Sequence, residues 1–427
     1  MRLGWLQIFR LGLVQMCLGA VVVLTTSTLN RLMVVELSLP ALVPGALVGL
    51  HYGIQITRPN WGFRSDTRGN RTVFIIGGMA ALSAGAFLAA LGVVLAGSWM
   101  AAGLALSVLA YVLIGVGVGA SGTSLLALLA TATEPRRRAA AATITWLMMI
   151  LGIAATAGTV GALIDPYSPV RLLEIVGAVT LGAVVVTALA VAGIERRVIA
   201  DREAESAPFR QGLAEVWAEP KARVFTIFIF LSMTAYFLQE LILEPYAGLV
   251  FGMTPGQSTQ LSGAQNGGVF VGMLLVGIAA TGLRIGTLRG WVMAGCLGSA
   301  ASLAAIAALG QAGGALVPAV VALGFFNGMF AVAAIGSMMA LAGQGRDARE
   351  GTRMGLWGAA QALAAGFGGM LGAGAADAMR LWLPAPDAFG VVFLGEAALF
   401  VISAGLAARI IEGRGGRVPE AQLVPGE

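Results

Sequence analysis

A helix needs about 20 mainly apolar residues to cross the hydrocarbon of a bilayer, and this sequence supplies such runs twelve times over. They fall at 11–34, 39–57, 72–96, 101–131, 139–163, 172–194, 223–248, 261–281, 290–310, 315–342, 354–376 and 389–411. Composition leaves little alternative. Charged residues are 11% of the chain and hydrophobic ones 58%, at a mean hydropathy of +0.87, whereas soluble domains carry about 25% charge. Too little polar surface is available to clothe a water-soluble body. The expectation is an all-α membrane protein with twelve transmembrane helices. The 61 glycines suit helices packed backbone to backbone, and the glycine-rich run 101–131 could accommodate a break. Cys17 and Cys296 both lie in apolar runs, which speaks against a disulfide framework. No small-residue cleavage site follows Arg2 and Arg10, so no cleaved signal is expected.

Twelve crossings divide the polar segments between two sides. One side holds both chain ends, the loops 58–71, 134–138, 282–289 and 346–353, and the segment 195–222 with Arg223. That side carries 23 of the 26 lysines and arginines, all but Arg31, Arg171 and Arg380. By the positive-inside rule both termini are cytoplasmic. The net charge of +5 then describes a membrane face suited to anionic lipid headgroups, not a nucleic-acid surface.

The chain divides near its middle. Residues 1–194 are expected to form an N-terminal six-helix bundle and 223–411 a C-terminal one. Residues 195–222 are then a cytoplasmic linker and 412–427 a cytoplasmic tail. Within the linker, "FRQGLAEVWAEP" spaces Phe209, Leu213, Val216 and Trp217 as a helix lying on the membrane surface would. The halves look related. After "EPRRR" comes a run with Trp146 that ends at Asp165, and after "REGTR" one with Trp357 that ends at Asp377. The intervals are 27 residues from Arg138 and 24 from Arg353. This six-plus-six layout resembles the major facilitator superfamily. So does the loop after the second run, where Gly62, Asp66, Gly69 and Arg71 match the pattern G-x-x-x-D-x-x-G-x-R. The resemblance implies a cytoplasmic gating latch. The corresponding "GLRIGTLRG" lacks the aspartate, so a symmetric second latch is not expected.

Two stretches are more specific. "LNRLMVVELSLPALVPGALVGLHYGIQITRPNWGFRSD" and "QELILEPYAGLVFGMTPGQSTQLSG" resemble the PucC/LhaA family of purple phototrophic bacteria, a likeness that runs from about residue 10 to 411. What it implies is a multi-pass protein of the bacterial inner (intracytoplasmic) membrane with bacteriochlorophyll or a late precursor as its ligand. The implied partners are light-harvesting antenna polypeptides or pigment-synthesis enzymes, together with the lipid bilayer itself.

Polar side chains inside apolar runs are costly and mark function or helix contacts. His51, the single histidine, shares a helical face with Gln55 and Arg58. It reads either as an axial ligand to the magnesium of a chlorin or as a histidine hydrogen-bonded between helices. Gln15 and Asn30 suit interhelical hydrogen bonds. Arg31 and Glu36 suit snorkelling or pairing near the outer end. In "YFLQELILEPY", Gln239 precedes Glu240 and Glu244, two carboxyls on one face. They could couple protons, contact pigment or pair with an arginine. Pro245 is expected to break this run and leave Glu244 near its end, which makes Glu240 the stronger candidate. With His51, Gln55 and Asn266 it completes the candidate pigment contacts. Asn327, Gln361 and Glu396 are further intramembrane polar groups.

Some members of the resembling family carry a synthase label, which would call for clustered aspartates. The six here, at 66, 165, 201, 347, 377 and 387, form no DxxxD pair, and no Walker, HExxH or CxxC pattern occurs. The expectation is a pigment-handling assembly factor that is not an enzyme. The alternative is a proton-coupled secondary transporter.

Overall fold

Every one of the apolar runs coincides with helix in the structure, a computed structural model that describes residues 3–58, 61, 70–134, 137–195, 217–283, 285–342 and 350–411. The first half contains α1 (Trp5–Val23), α2 (Leu42–Ile54), α3 (Arg71–Ala96), α4 (Met100–Ala132), α5 (Arg138–Ile164) and α6 (Pro169–Val191). The second contains α7 (Pro220–Leu238), α8 (Leu243–Phe251), α9 (Pro255–Gly277), α10 (Leu288–Ala312), α11 (Leu316–Ala342), α12 (Glu350–Arg380) and α13 (Ala385–Ile410). There is no strand among the described residues. Among the described residues ten segments are long and apolar enough to cross a membrane, with α7 and α8 counted together. The two others are α2, which has 13 residues, and α12, whose glycine- and alanine-rich sequence is only weakly apolar. The chain is a multi-pass membrane protein.

The helix starts are encoded locally. Ser168, Thr254 and Thr287 each accept a backbone amide of their own first turn, and proline follows the first two. Three expectations are revised. The glycine-rich run at 101–131 has no break, because α4 is continuous and its glycines serve packing. The run at 223–248 does break, but at 239–242, upstream of Pro245. Pro245 instead sits in the first turn of α8, where its missing N–H leaves no hydrogen bond unmade, and Glu244 is buried beside it. Gly62, Asp66 and Gly69 lie outside the described residues, as do most of the linker and the 412–427 tail. Arg71 is described: it bonds the Thr131 hydroxyl and, at 3.2 Å, the Ala127 carbonyl. It thereby satisfies the C-terminal turn of α4.

The two sets of helices pack by one plan. In the first, α1 packs on α5 and α6, α2 on α4, and α3 on α4 and α6. In the second, α7 packs on α12 and α13, α9 on α11, and α10 on α11 and α13. Between the sets, α5 lies against α9 and α2 against α12. Glycine makes the close crossings possible. Gly268 and Gly272 on α9 face Gly324 and Gly328 on α11, and a Cβ on Gly272 would stand 2.0 Å from the Phe325 carbonyl oxygen. Such small-residue pairs at i, i+4 let membrane helices approach closely.

Two aspartates join the halves at the end away from the basic loops. Asp165, just past α5, accepts from the Thr254 hydroxyl and, at 3.1 Å, from the Gly256 amide at the start of α9. Asp377, near the end of α12, accepts from the Leu42 amide at the start of α2 at 2.7 Å. Each carboxylate thus meets a helix N-terminus of the opposite half, where backbone amides are unpaired and the dipole favours negative charge.

The apolar core forms two large clusters, one per half, with exchanges between them. Leu241 belongs to the first-half cluster, whereas Val34 and Ala41 belong to the second.

Candidate functional site at the paired helix interruptions

The exchanging residues come from two irregular places. Beyond Val23, α1 widens into π-helix at Leu24–Leu29 and again at Leu32–Glu36. The first stretch reads Leu-Thr-Thr-Ser-Thr-Leu, and all four of its hydroxyl residues are buried. Such side chains compete with the backbone for its own hydrogen bonds, and here Thr25 Oγ1 donates to the Val22 carbonyl at 2.7 Å. The Thr25 carbonyl in turn accepts from Tyr111 at 3.1 Å. π-Segments concentrate at functional sites. In the corresponding place of the second half, the turn Gln239–Ile242 separates α7 from α8. Matched interruptions in two halves of a membrane protein are the backbone signature of a binding site.

The two interruptions touch. Asn30 Nδ2 donates to the Leu241 carbonyl at 2.9 Å, which satisfies backbone freed by the turn. Ser27 donates to Glu244 Oε1. Thr28 and Thr259 Oγ atoms lie 3.5 Å apart. Arg31, only 3% exposed, pairs with Glu36 Oε1 at 2.5 Å and donates to the Met253 carbonyl at 2.9 Å. The five-residue spacing of that pair is what a π turn brings together.

Glu240 stands in the turn itself, half-buried. Thr26 lies beside its carboxyl, and its charge bears on the phenols of Tyr52 and Tyr236. Tyr52 reaches toward α7, its ring 6.3 Å from that of Phe237.

His51 lies immediately before Tyr52 but is enclosed, at 1% exposure. Its Nε2 is 2.8 Å from Gln55 Nε2, while Gln55 Oε1 accepts from Arg58. A guanidinium only donates, so the Gln55 amide is fixed with its NH2 toward the imidazole. His51 Nε2 is therefore the acceptor and Nδ1 the protonated nitrogen, and Nδ1 is buried without a partner. The polar stripe of α2 is a closed relay. Any metal ligand at Nε2 would first have to displace Gln55.

Of the other candidates, Asn30, Arg31, Glu36 and Glu244 come together at the interruptions. Gln15 does not; its Nε2 donates to Met149 Sδ at 3.3 Å. Asn266 bonds back to the Ser262 carbonyl of its own helix at 3.0 Å, and Gln239 to the Tyr236 carbonyl at 3.4 Å. Asn327 Oδ1 accepts from Ser299 at 2.7 Å, and Glu396 is buried with neither oxygen hydrogen-bonded. The sequence places Thr26 on one helical face with Gln15 and Asn30, but does not single out Ser27, Thr28, Tyr52, Thr259 or Ser262. The signal available was the unbroken run of four hydroxyl residues at 25–28 inside an apolar span.

The fold is shared with a solved structure, that of a bacterial homolog of the human lysosomal transporter Spinster in an inward-facing and unoccupied conformation. The TM-score is 0.70 at 15% sequence identity, covering 95% of this chain and 96% of that one. Two similarly packed sets of helices, a contact between interrupted helices and this likeness define an all-helical, multi-pass membrane protein with the fold of that structure. Within that class the profile described as PUCC protein matches residues 28–415. The bacteriochlorophyll synthase 44.5 kDa chain of Rhodobacter capsulatus is 71% identical over 98% of this chain and 99% of its own length. Protein PucC of the same organism is 28% identical over 96% and 93%, and Protein PucC of Rhodovulum sulfidophilum 29% identical over 88% and 86%. This chain belongs to the PucC family.

Proposed function

We propose that the protein is a membrane-embedded carrier of bacteriochlorophyll or a late precursor, which it passes to light-harvesting antenna polypeptides or to pigment-synthesis enzymes. The observation that carries this reading is the 71% identity, over nearly the full length of both chains, to a relative named for bacteriochlorophyll synthesis. Twelve spans in a six-plus-six arrangement complete the architecture, with α2 and α12 as the two weakly marked crossings. Both termini, the 195–222 linker and the tail lie in the cytoplasm, and the membrane is the bacterial inner (intracytoplasmic) one.

Glu240 is the group we assign to the pigment. A magnesium chlorin takes one axial oxygen or nitrogen donor and a broad flat wall, and Glu240 offers a half-buried carboxyl among Tyr52, Tyr236 and Phe237. His51 and Gln55 then act behind this surface, positioning Tyr52 through their shared helix. Asn266 is the most peripheral of the candidates, since its amide is occupied within α9. Carriage suits the chain better than catalysis: Asp165 and Asp377 are engaged in joining the halves.

An absorption spectrum of the protein, gently solubilised from a phototrophic host, tests the reading. Stoichiometric pigment with a protein-shifted long-wavelength band is the expected result. Pigment-free protein that takes up solute under a pH gradient would establish the alternative, a proton-coupled secondary transporter.

A further inference from the structure

Glu244 is held differently from Glu240. It lies in the first turn of α8 at 3% exposure. Its Oε1 accepts from Ser27 on the π-segment of α1. The hydroxyls of Thr259 and Ser262 on α9 flank the same carboxyl, and Thr259 is tied in turn to Thr28. Its second oxygen, Oε2, is buried and makes no hydrogen bond.

The charges around it do not balance it. Arg31 is the cation whose field reaches Glu244, but its guanidinium is committed to Glu36 and to the Met253 carbonyl. Glu240, four residues earlier, supplies no positive charge. A bare carboxylate in such a place is costly. What remains nearby is oxygen: hydroxyls with free lone pairs and the open carboxylate atom. Hard oxygen donors of this kind hold small, hard cations. A single carboxylate matches a single positive charge, and among the described residues no group of three or more His, Cys, Asp or Glu side chains exists for a more highly charged metal.

We propose that Glu244, with Ser27, Thr259 and Ser262, forms a site for one monovalent cation, either a proton or an alkali-metal ion, where α1, α8 and α9 meet. The site is independent of the pigment reading and requires no pigment. Because Ser27 comes from the first half and the other residues from the second, occupancy ties the halves together at their interrupted helices.

The test uses the purified full chain in nanodiscs. One arm compares thermal melting in sodium chloride and in choline chloride at matched ionic strength. The other follows the infrared carbonyl band of protonated carboxyl groups through an alkaline titration. An alkali ion predicts sodium-dependent stabilisation that Glu244→Gln abolishes. A proton predicts a titrating band in the wild type, lost in Glu244→Gln, with one fewer proton released per chain. Identical behaviour of wild type and variant in both arms overturns the proposal. Should Glu244→Gln fail to fold, Ser27→Ala keeps the carboxyl and removes one donor. It should move the sodium or proton midpoint about tenfold, the size of one hydrogen bond to a charged group, and an unmoved midpoint also overturns the site.

Discussion

Asp165 accepts a hydrogen bond from the backbone amide of Gly256, at 3.1 Å, across the boundary between the two halves of the molecule. Only glycine permits that approach, since a Cβ on residue 256 would stand 2.3 Å from the Asp165 carboxylate. Asp377 and the Leu42 amide repeat the arrangement on the other side of the interface. Truncating a capping acceptor costs about 1 kcal/mol. Asp165→Ala and Asp377→Ala should therefore each lower the thermal stability of the solubilised protein by about that amount. The double variant should be close to additive, because the aspartates contact different helices. A double variant as stable as the wild type would remove both residues from the interface.

The α9–α11 crossing has no room for a methyl group. Gly272→Ala should destabilise by about 1–3 kcal/mol, the usual cost of overpacking, whereas Gly267→Ala, whose Cβ would meet nothing within 4 Å, should be neutral. Denaturation midpoints of the two variants check the contrast.

His51 and Glu240 should separate stability from pigment. His51→Leu breaks the relay and leaves the buried NH2 of Gln55 without its acceptor, at a cost of about 1–3 kcal/mol. Yet the pigment spectrum of the folded protein should stay unchanged. Glu240→Gln should instead shift or weaken the long-wavelength band with little effect on melting. A band lost in His51→Leu and kept in Glu240→Gln would return the imidazole to the role of ligand.

Orientation is open to a direct measurement. The twelve-span reading of the sequence assigns 23 of 26 basic residues to one side, and on that reading a reporter fused after Arg417 should be active only in the cytoplasm. Periplasmic activity would invert the topology.

Deletion of the gene should lower antenna-complex levels while the general chlorin pathway continues. Accumulation of an unesterified precursor, with esterification abolished in isolated membranes, would point to synthesis instead.

The helices were legible because apolar run length reports membrane crossing directly, and most run ends fall within a few residues of helix ends. The irregularities were not. Pro245 drew the expected break toward itself, but the chain turns at 239–242, where Asn30 from another helix supplies the hydrogen bond that makes a turn tolerable. No local pattern records that partner. Likewise the spacing of His51, Gln55 and Arg58 gives their common face, whereas which neighbour covers that face depends on how α2 sits between α4 and α12. The repeat ending at Asp165 and Asp377 was visible in sequence, but its use in joining the halves required both helix starts to be placed.

Leu241 lies in the core of the first half although it belongs to the second, and Val34 and Ala41 lie in the core of the second although they belong to the first. During synthesis the helices of the first half are made before Leu241, a buried member of their own apolar cluster, exists. A fragment ending in the linker would therefore lack one buried member of its own apolar cluster.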